Sequence, residues 1–195
     1  MHKNGCPPMR AFALVTLASL ASLPAAAQNS TQPGGYAGQH AREIKALSAT
    51  EMDDLASGRG MGLARVGELN HYPGPAHVLQ LRDRLDLTPA QVAAVQASFD
   101  RMEAAAKLLG AELIRRERAL DDVFKAGTVT PAGVVLDTEG IGMLQGRLRA
   151  VHLEAHLEMR SVLSTEQVAR YDTLRGYAGP GAKPTAAPAH RMHPG

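Results

Sequence analysis

The residues best suited to chemistry lie in the stretch HLEAHLEM, residues 152–159. His152 and His156 are four residues apart, so on a helix they would stack on one face, where two imidazoles can share a metal ion. Met159 follows three residues later and could add a thioether, which suits softer ions such as copper. The stretch is therefore a candidate site for a transition metal ion, with Zn, Cu, Ni and Co to consider. The alternative is a solvated helix face, because histidine pairs at this spacing also arise by chance.

A second group of candidate ligands surrounds the turn PGP, residues 73–75. Glu68, His71 and His77 flank this turn, where two prolines fix the backbone and stop any helix. These side chains could complete a metal site with the histidine pair if the N-terminal helices fold over the second long helix. The plainer interpretation, which we favour here, makes His71 a turn residue and His77 a helix-surface residue.

The sequence offers no arrangement typical of an enzyme. HLEAH differs from the zincin motif HExxH, because Glu154 is not adjacent to His152 and the general base of a metalloprotease is misplaced. No Ser-His-Asp ordering stands out. The glycine-rich residues 58–62 follow no apolar strand and precede no Lys-Ser/Thr pair, which argues against a nucleotide site. We therefore predict a non-enzymatic protein.

The N-terminus has the three-part layout of a secretory signal peptide. Lys3 and Arg10 form a basic region, and the apolar run at residues 11–23 is too short to span a bilayer, which needs roughly 20 residues. Pro24 and three alanines follow, and we place the cleavage after Ala27. The pattern predicts export to the bacterial periplasm.

Cleavage would change the composition of the chain. It would remove Cys6, the only cysteine, so disulfides, thiolate metal sites and cysteine nucleophiles are not expected. It would also remove two of the 21 basic residues and none of the 19 acidic ones, which leaves a net charge of zero. Without excess positive charge, nucleic acid is not an expected partner.

The mature chain divides by composition into three parts. Residues 28–40 are polar and glycine-rich, and residues 178–195 carry four prolines, so both are predicted to be disordered. Residues 41–177 are rich in helix-forming residues and predict one all-helical domain.

A long helix is predicted over residues 89–125, with Thr88 as N-cap and Pro89 at the first helical position. Its apolar residues alternate in steps of three and four and form a heptad seam that Arg116 interrupts. We interpret Arg116 as an exposed or snorkelling side chain; the alternative is that the seam opens there toward a partner. The apolar seam residues are Val92, Val95, Phe99, Met102, Ala106, Leu109, Leu113, Leu120 and Val123.

A second long helix is predicted over residues 136–163, with glycines at 140, 142 and 146 that weaken its first turns. Two seamed helices joined by a short loop predict an antiparallel hairpin. Leu153 and Leu157 lie off the seam and need a cover from the N-terminal helices, the last helix, a second subunit or a client protein. Shorter elements are predicted at residues 41–47, 63–70, 75–85 and 164–175, and a short helix capped by Ser48 is predicted to end at Ala56. Ser48-Glu51 and Ser164-Gln167 are spaced as capping boxes.

Two five-residue motifs bracket the predicted hairpin: LTPAQ at residues 87–91 and LSTEQ at residues 163–167. With the export signal, they resemble the LTxxQ-motif family of bacterial periplasmic proteins, which includes the Spy and CpxP stress proteins and the CnrX-type heavy-metal sensors. The second motif has Ser for Thr and keeps the capping hydroxyl. The resemblance covers residues 75–177, and residues 60–75 also look like an N-terminal extension of the metal-sensor branch.

The resemblance implies an all-α hooked hairpin without catalytic activity, often as an antiparallel homodimer. Family members work as ATP-independent chaperones for unfolded clients, as inhibitors of envelope-stress signalling or as metal sensors, so a membrane-bound signalling protein is another implied partner. The metal-sensor branch carries His and Met ligands in the helix before the second motif, although His156 and Met159 do not have its His-x3-Met spacing. We favour a heavy-metal sensor or resistance protein, with a Spy/CpxP-like chaperone or stress modulator as the alternative and a purely structural envelope protein as a third.

Overall fold

The computed structural model describes residues 35–177, and helices are the regular secondary structure of this part of the chain. The predicted all-α class is therefore confirmed for these residues, in which β-type pairing is limited to an isolated bridge between Ile44 and Leu47. The predicted signal peptide, the first part of the lead-in (28–34) and the tail (178–195) lie outside them. After a 3-10 turn at Gln39–Ala41, the helices are α1 (Ala49–Ala56), α2 (Arg65–Glu68), α3 (Pro75–Gln80), α4 (Pro89–Lys125), α5 (Pro131–Val162) and α6 (Thr165–Arg175).

Three helices begin with the side-chain hydrogen bonds of a capping box. Ser48 caps α1, Thr88 caps α4 and Ser164 caps α6, and each hydroxyl accepts a hydrogen bond from the backbone N–H three residues later. The Glu or Gln at that third position accepts in return from the N-cap backbone, which satisfies two free N–H groups at each helix start. The predicted starts of these three helices are confirmed.

The predicted start of α5 is wrong by five residues. The helix begins at Pro131 rather than at residue 136, and the Thr130 hydroxyl accepts a hydrogen bond from Gly133 N at 3.1 Å. Thr130-Pro131 repeats the Thr88-Pro89 start of α4, because Pro suits the first helical position. The glycines at 140, 142 and 146 do not delay the helix, since their cost of about 1 kcal/mol each is small beside the packing of a long helix.

The short N-terminal elements also differ from prediction. Residues 41–47 are not an amphipathic helix, because the chain bends after the 3-10 turn and buries Ile44 and Leu47 as a bridge. Helix α2 is four residues long rather than eight, and α3 ends at Gln80 rather than at residue 85. None of the helices in residues 35–177 meets the length and hydropathy needed to cross a membrane.

Helices α4 and α5 run antiparallel, as contacts along their length show. Near one end, Gln91 Nε2 donates to Val162 O at 2.9 Å, and Arg101 pairs with Glu158 at 2.8 Å. Toward the other end, Arg116 lies over Gly140 of α5 and pairs with Glu112 of its own helix. The Arg116 side chain is 42% exposed, which agrees with the exposed or snorkelling interpretation.

Two apolar clusters hold the shorter helices against this pair. The first cluster packs α1 on the middle of α4 and α5. The second packs α3 and α6 on the end of the pair where α4 begins and α5 ends. Buried residues of the first are Ile44, Leu47, Leu55, Ala106, Leu113, Ile141 and Leu148. Those of the second are Val78, Leu85, Val95, Met159, Leu163, Val168 and Tyr171.

Candidate metal-binding cavity

Residues 60–74, the covering segment, lie over the part of α5 that carries the histidine pair. Gly67 of α2 packs against Leu153 and His156, whose side-chain atoms lie 3.5 Å from the position that a Cβ at Gly67 would take. The alternative of a solvated helix face for His152 and His156 is therefore wrong. The segment also covers Leu153, whereas Leu157, the second off-seam leucine, remains 58% exposed.

His152 is the most enclosed of the candidate ligands, with 3% of its surface exposed. Burial, with a smaller contribution from the neighbouring His156, lowers the pKa of His152 below its usual value. The ring is therefore neutral at pH 7, which is the form that coordinates metals. Its Nε2 atom is buried and has no hydrogen-bond partner.

His156 is held in one tautomer by the backbone of the covering segment. Its Nδ1 lies 2.7 Å from the carbonyl oxygen of Tyr72. A carbonyl oxygen can only accept, so Nδ1 carries the proton and Nε2 carries the lone pair of the neutral ring. A carbonyl partner on the far nitrogen is the usual arrangement behind a metal-ligating histidine. The ring also packs on Gly74, where an added Cβ would lie 3.0 Å from it.

Glu68 lies beside His156 and joins the covering segment to α6. Its Oε1 accepts hydrogen bonds from the hydroxyls of Tyr171 at 2.5 Å and Tyr177 at 3.1 Å, and its Oε2 accepts from Gly74 N at 3.1 Å. Arg175 is within ion-pair distance of the same carboxylate, at 3.4 Å. Burial and the nearby carboxylate raise the pKa of Tyr171 well above its usual value, so its hydroxyl stays protonated and donates.

A cavity of about 520 Å³ lies under the covering segment, and four of the predicted ligands line it: Glu68, His77, His152 and His156. His77 reaches it from α3, and its Nδ1 lies 3.1 Å from Gln80 Oε1. Met61 closes part of the wall from the loop between α1 and α2, where its backbone is in the left-handed region with φ of 46°.

The other two predicted ligands point elsewhere. His71 does not line the cavity, because its Nδ1 pairs with Asp172 Oδ2 of α6 at 2.7 Å and its side chain is half-exposed. Met159 is fully buried in the second apolar cluster. Met159 lies about 60° around the helix axis from His156, and at that position its side chain packs in the second apolar cluster and does not line the cavity.

The donors fit a transition metal in kind but do not converge. Imidazole nitrogens with a carboxylate suit Zn, Cu, Ni and Co. Within residues 35–177, however, no three His, Cys, Asp or Glu side chains are close enough together to hold a metal ion. The cavity therefore offers a pair of ligands on α5, with Glu68 Oε2 lying 3.7 Å from His156 Nδ1 and His77 contributed by α3.

The tyrosine pair around Glu68 is the part of the site that the sequence patterns do not single out. The chain has only four tyrosines, and Tyr171 and Tyr177 converge on one carboxylate. One sequence signal could have pointed to them: aromatic residues are scarce in this chain, yet Tyr171 lies in the last predicted helix and Tyr177 lies just after it. The contact itself joins residues more than one hundred positions apart.

Comparison of the chain with protein-family models, with curated proteins and with solved structures returns no match. The local geometry of the described residues therefore carries the functional argument.

Proposed function

We propose that this protein binds a transition metal ion through the histidines of α5 and works as a metal-responsive sensor or resistance protein outside the cytoplasmic membrane. The observation that carries the proposal is the burial of His152 with Nε2 unpartnered. A buried nitrogen without a partner is costly, and coordination to a metal would remove that cost. The export and the hooked-hairpin architecture in this proposal rest on the predicted signal peptide and on the LTxxQ-like motifs.

His152 and His156 are the proposed ligands on α5, and His77 and Glu68 are the ligands proposed to complete the set. They come from three parts of the chain: α5, α3 and the covering segment. A metal bound by all of them would tie the N-terminal part of the chain to the long hairpin. Metal binding would thus stabilise the docking of the covering segment on α5, and a signalling partner could detect that change.

Titration calorimetry with Zn²⁺, Cu²⁺, Ni²⁺ and Co²⁺ tests this function. We expect a dissociation constant below roughly 10 µM for at least one ion and loss of that binding when His152→Ala and His156→Ala are combined. His40→Ala is the matched control, because His40 is exposed and lies outside the cavity. Absence of binding in this range, or unchanged binding in the double variant, would contradict the proposal.

A second candidate function is client binding by a Spy/CpxP-like chaperone or stress modulator. The observation in its favour is an apolar stripe on α5, formed by Leu136, Met143 and Leu157, which are 69%, 55% and 58% exposed. The first two are seven residues apart and the third lies two heptads beyond, so all three share one helix face. Methionine and leucine on an exposed face suit adaptable apolar contacts.

Aggregation of a denatured client protein, followed by light scattering, tests the second candidate. We expect suppression at equimolar amounts, and loss of suppression when the three stripe residues are replaced by Ser. The control replaces Glu139, Glu154 and Arg147 of the same helix by Ser, which leaves the stripe intact. Suppression that survives loss of the stripe, or none at all with the unaltered protein, would exclude this use of the surface.

The homodimer remains a proposal for the assembly of the protein. A heptad-spaced apolar stripe on a long helix is what a second helix of the same kind could pack against. Sedimentation equilibrium of the unaltered protein and of the triple Ser variant is the relevant measurement. We expect a dimer for the former and a monomer for the latter.

A further inference from the structure

A second cavity lies on the other side of Met61 and has a different character. It has a volume of about 480 Å³, which is in the range of small-molecule sites. Met61 lines both cavities, so the loop that carries it separates them. The second cavity is bounded by α1, the loop after it, α4 and α5, and neither histidine of α5 lines it.

The interior of the second cavity is apolar. Leu47, Leu55, Leu113 and Leu148 line it, and all four belong to the buried residues of the first apolar cluster. Leu63 adds a partly buried side chain from the loop. This floor would accept an alkyl chain, because each methylene that leaves water there gains the usual hydrophobic stabilisation.

Two glycines keep the α5 wall open. Gly142 and Gly146 are one helical turn apart and both line the cavity. A Cβ placed on either glycine would meet nothing within 4 Å. The wall is thus bare helix backbone beside open space, and a side chain added at either position would begin in that space.

The charge at the rim points to the ligand's head group. Arg149 lines the cavity, and its side chain makes no ion pair or hydrogen bond within residues 35–177. Glu51 also lines it, but Ser48 donates to its carboxylate from the backbone N at 2.8 Å and from Oγ at 2.7 Å. The nearby Arg42 further offsets its charge. The positive charge of Arg149 is therefore the one left without a partner.

We propose that this cavity binds a fatty-acid-like anionic amphiphile, with its alkyl chain on the leucine floor and its head group paired with Arg149. A guanidinium pairs with a carboxylate through two parallel hydrogen bonds, which would fix the head group at the rim. The site is separate from the histidines, so this proposal does not depend on metal binding.

Titration calorimetry with octanoate, decanoate and dodecanoate below their aggregation concentrations tests the proposal on the purified protein. We expect one site per chain, with affinity that rises by up to about fourfold for each methylene added. Arg149→Gln should weaken decanoate binding about tenfold. The matched control is Arg147→Gln, because the Arg147 side chain also makes no ion pair or hydrogen bond within residues 35–177 but does not line the cavity.

A second variant tests the binding of the alkyl chain separately from that of the head group. Gly146→Leu should abolish decanoate binding by filling the cavity while leaving the helical circular dichroism unchanged, since its side chain enters open space. Binding should persist when His152→Ala and His156→Ala are combined. The proposal is overturned by absence of fatty-acid binding, by equal effects of Arg149→Gln and Arg147→Gln, by affinity independent of chain length, or by binding of an apolar peptide in place of the acids.

Discussion

The two cavities share Met61 and helix α5, yet they differ in almost every other respect. The polar cavity lies under the covering segment and is lined by histidines. Hydrogen bonds of Tyr72 to His156, and of Glu68 to Tyr171 and Tyr177, hold that segment in place. The apolar cavity is lined by leucines and by the backbone of two glycines, and it has the unpaired side chain of Arg149 at its rim. On α5, Gly146 and His152 are six residues apart, about 9 Å along the helix axis. The chemistry of each cavity therefore depends both on the side chains of α5 that line it and on the part of the chain that packs over them.

The largest expected effect comes from a variant that displaces α1, because α1 lines the apolar cavity but not the polar one. A Cβ at Gly110 of α4 would lie 2.1 Å from the carbonyl oxygen of Leu55, which is backbone and cannot move alone. Gly110→Ala should therefore displace α1 and lower the free energy of unfolding by about 3 kcal/mol. Urea denaturation measures this loss. Decanoate binding should be lost with it, because Leu55 lines only the apolar cavity.

Gly142→Ala is the control for that variant. Its Cβ would enter open space in a helix interior, so we expect a gain of up to about 1 kcal/mol in stability from helix propensity. Similar urea midpoints for the two alanine variants would show that α1 does not pack against Gly110 as described.

A smaller effect is expected at the polar cavity. Tyr171→Phe removes the hydroxyl that donates to Glu68 at 2.5 Å, in a side chain with no exposed surface. The loss of a hydrogen bond to a buried carboxylate should lower the free energy of unfolding by about 2 kcal/mol. Amide hydrogen exchange should become faster in residues 60–74, while residues of α1 keep their protection.

Tyr177→Phe provides the comparison for this network. Its hydroxyl lies farther from Glu68, at 3.1 Å, and the residue is only half-buried. We expect a smaller loss of stability than for Tyr171→Phe. If Tyr177→Phe is the more harmful of the two, Tyr171 is not the main support of Glu68.

The smallest expected effect is a pH dependence confined to the polar cavity. The pKa of His152 is lowered in the folded protein by burial, so the unfolded chain takes up a proton at a higher pH than the folded chain does. In metal-free protein, stability should be full above about pH 6.5, the usual histidine value, and should fall as the pH drops below it. Urea midpoints between pH 5 and 8 measure this slope.

His152→Gln should reduce the pH slope, because glutamine does not titrate. His40→Gln should leave it unchanged, since His40 is exposed. A slope that persists unaltered in His152→Gln would mean that another group is responsible for the acid sensitivity.

Helix starts were the most predictable part of the fold. Ser48, Thr88 and Ser164 cap their helices through contacts three residues away, and such local contacts are written in the nearby sequence. The start of α5 is wrong because residues 126–131 are interpreted as a turn, whereas Thr130 and Pro131 already cap and begin the helix. The bridge at Ile44 and Leu47 could not be predicted, since burial against the first apolar cluster shapes it.

The candidate site was predictable only in part. The spacing of His152 and His156 places them on one face of α5, but it does not say what lies over that face. The cover is set by Gly67 and by Tyr72, which meet α5 over 80 residues away in sequence. The same limit explains Met159, whose position on the helix is predictable but whose neighbours in the second apolar cluster are not.

The bond between Tyr72 and His156 has a consequence for the order in which the molecule folds. Helices α4 and α5 are joined by five residues, so their pairing closes a short loop, whereas this bond and the one between Glu68 and Tyr171 span 84 and 103 residues. Closing the longer loops costs more chain entropy, so we expect the hairpin to form first and the N-terminal cover to dock last. A newly made chain would then pass through a stage in which the histidines are open to the surrounding solution. The same docking step, run in reverse, is where we expect a protease to find its first point of entry.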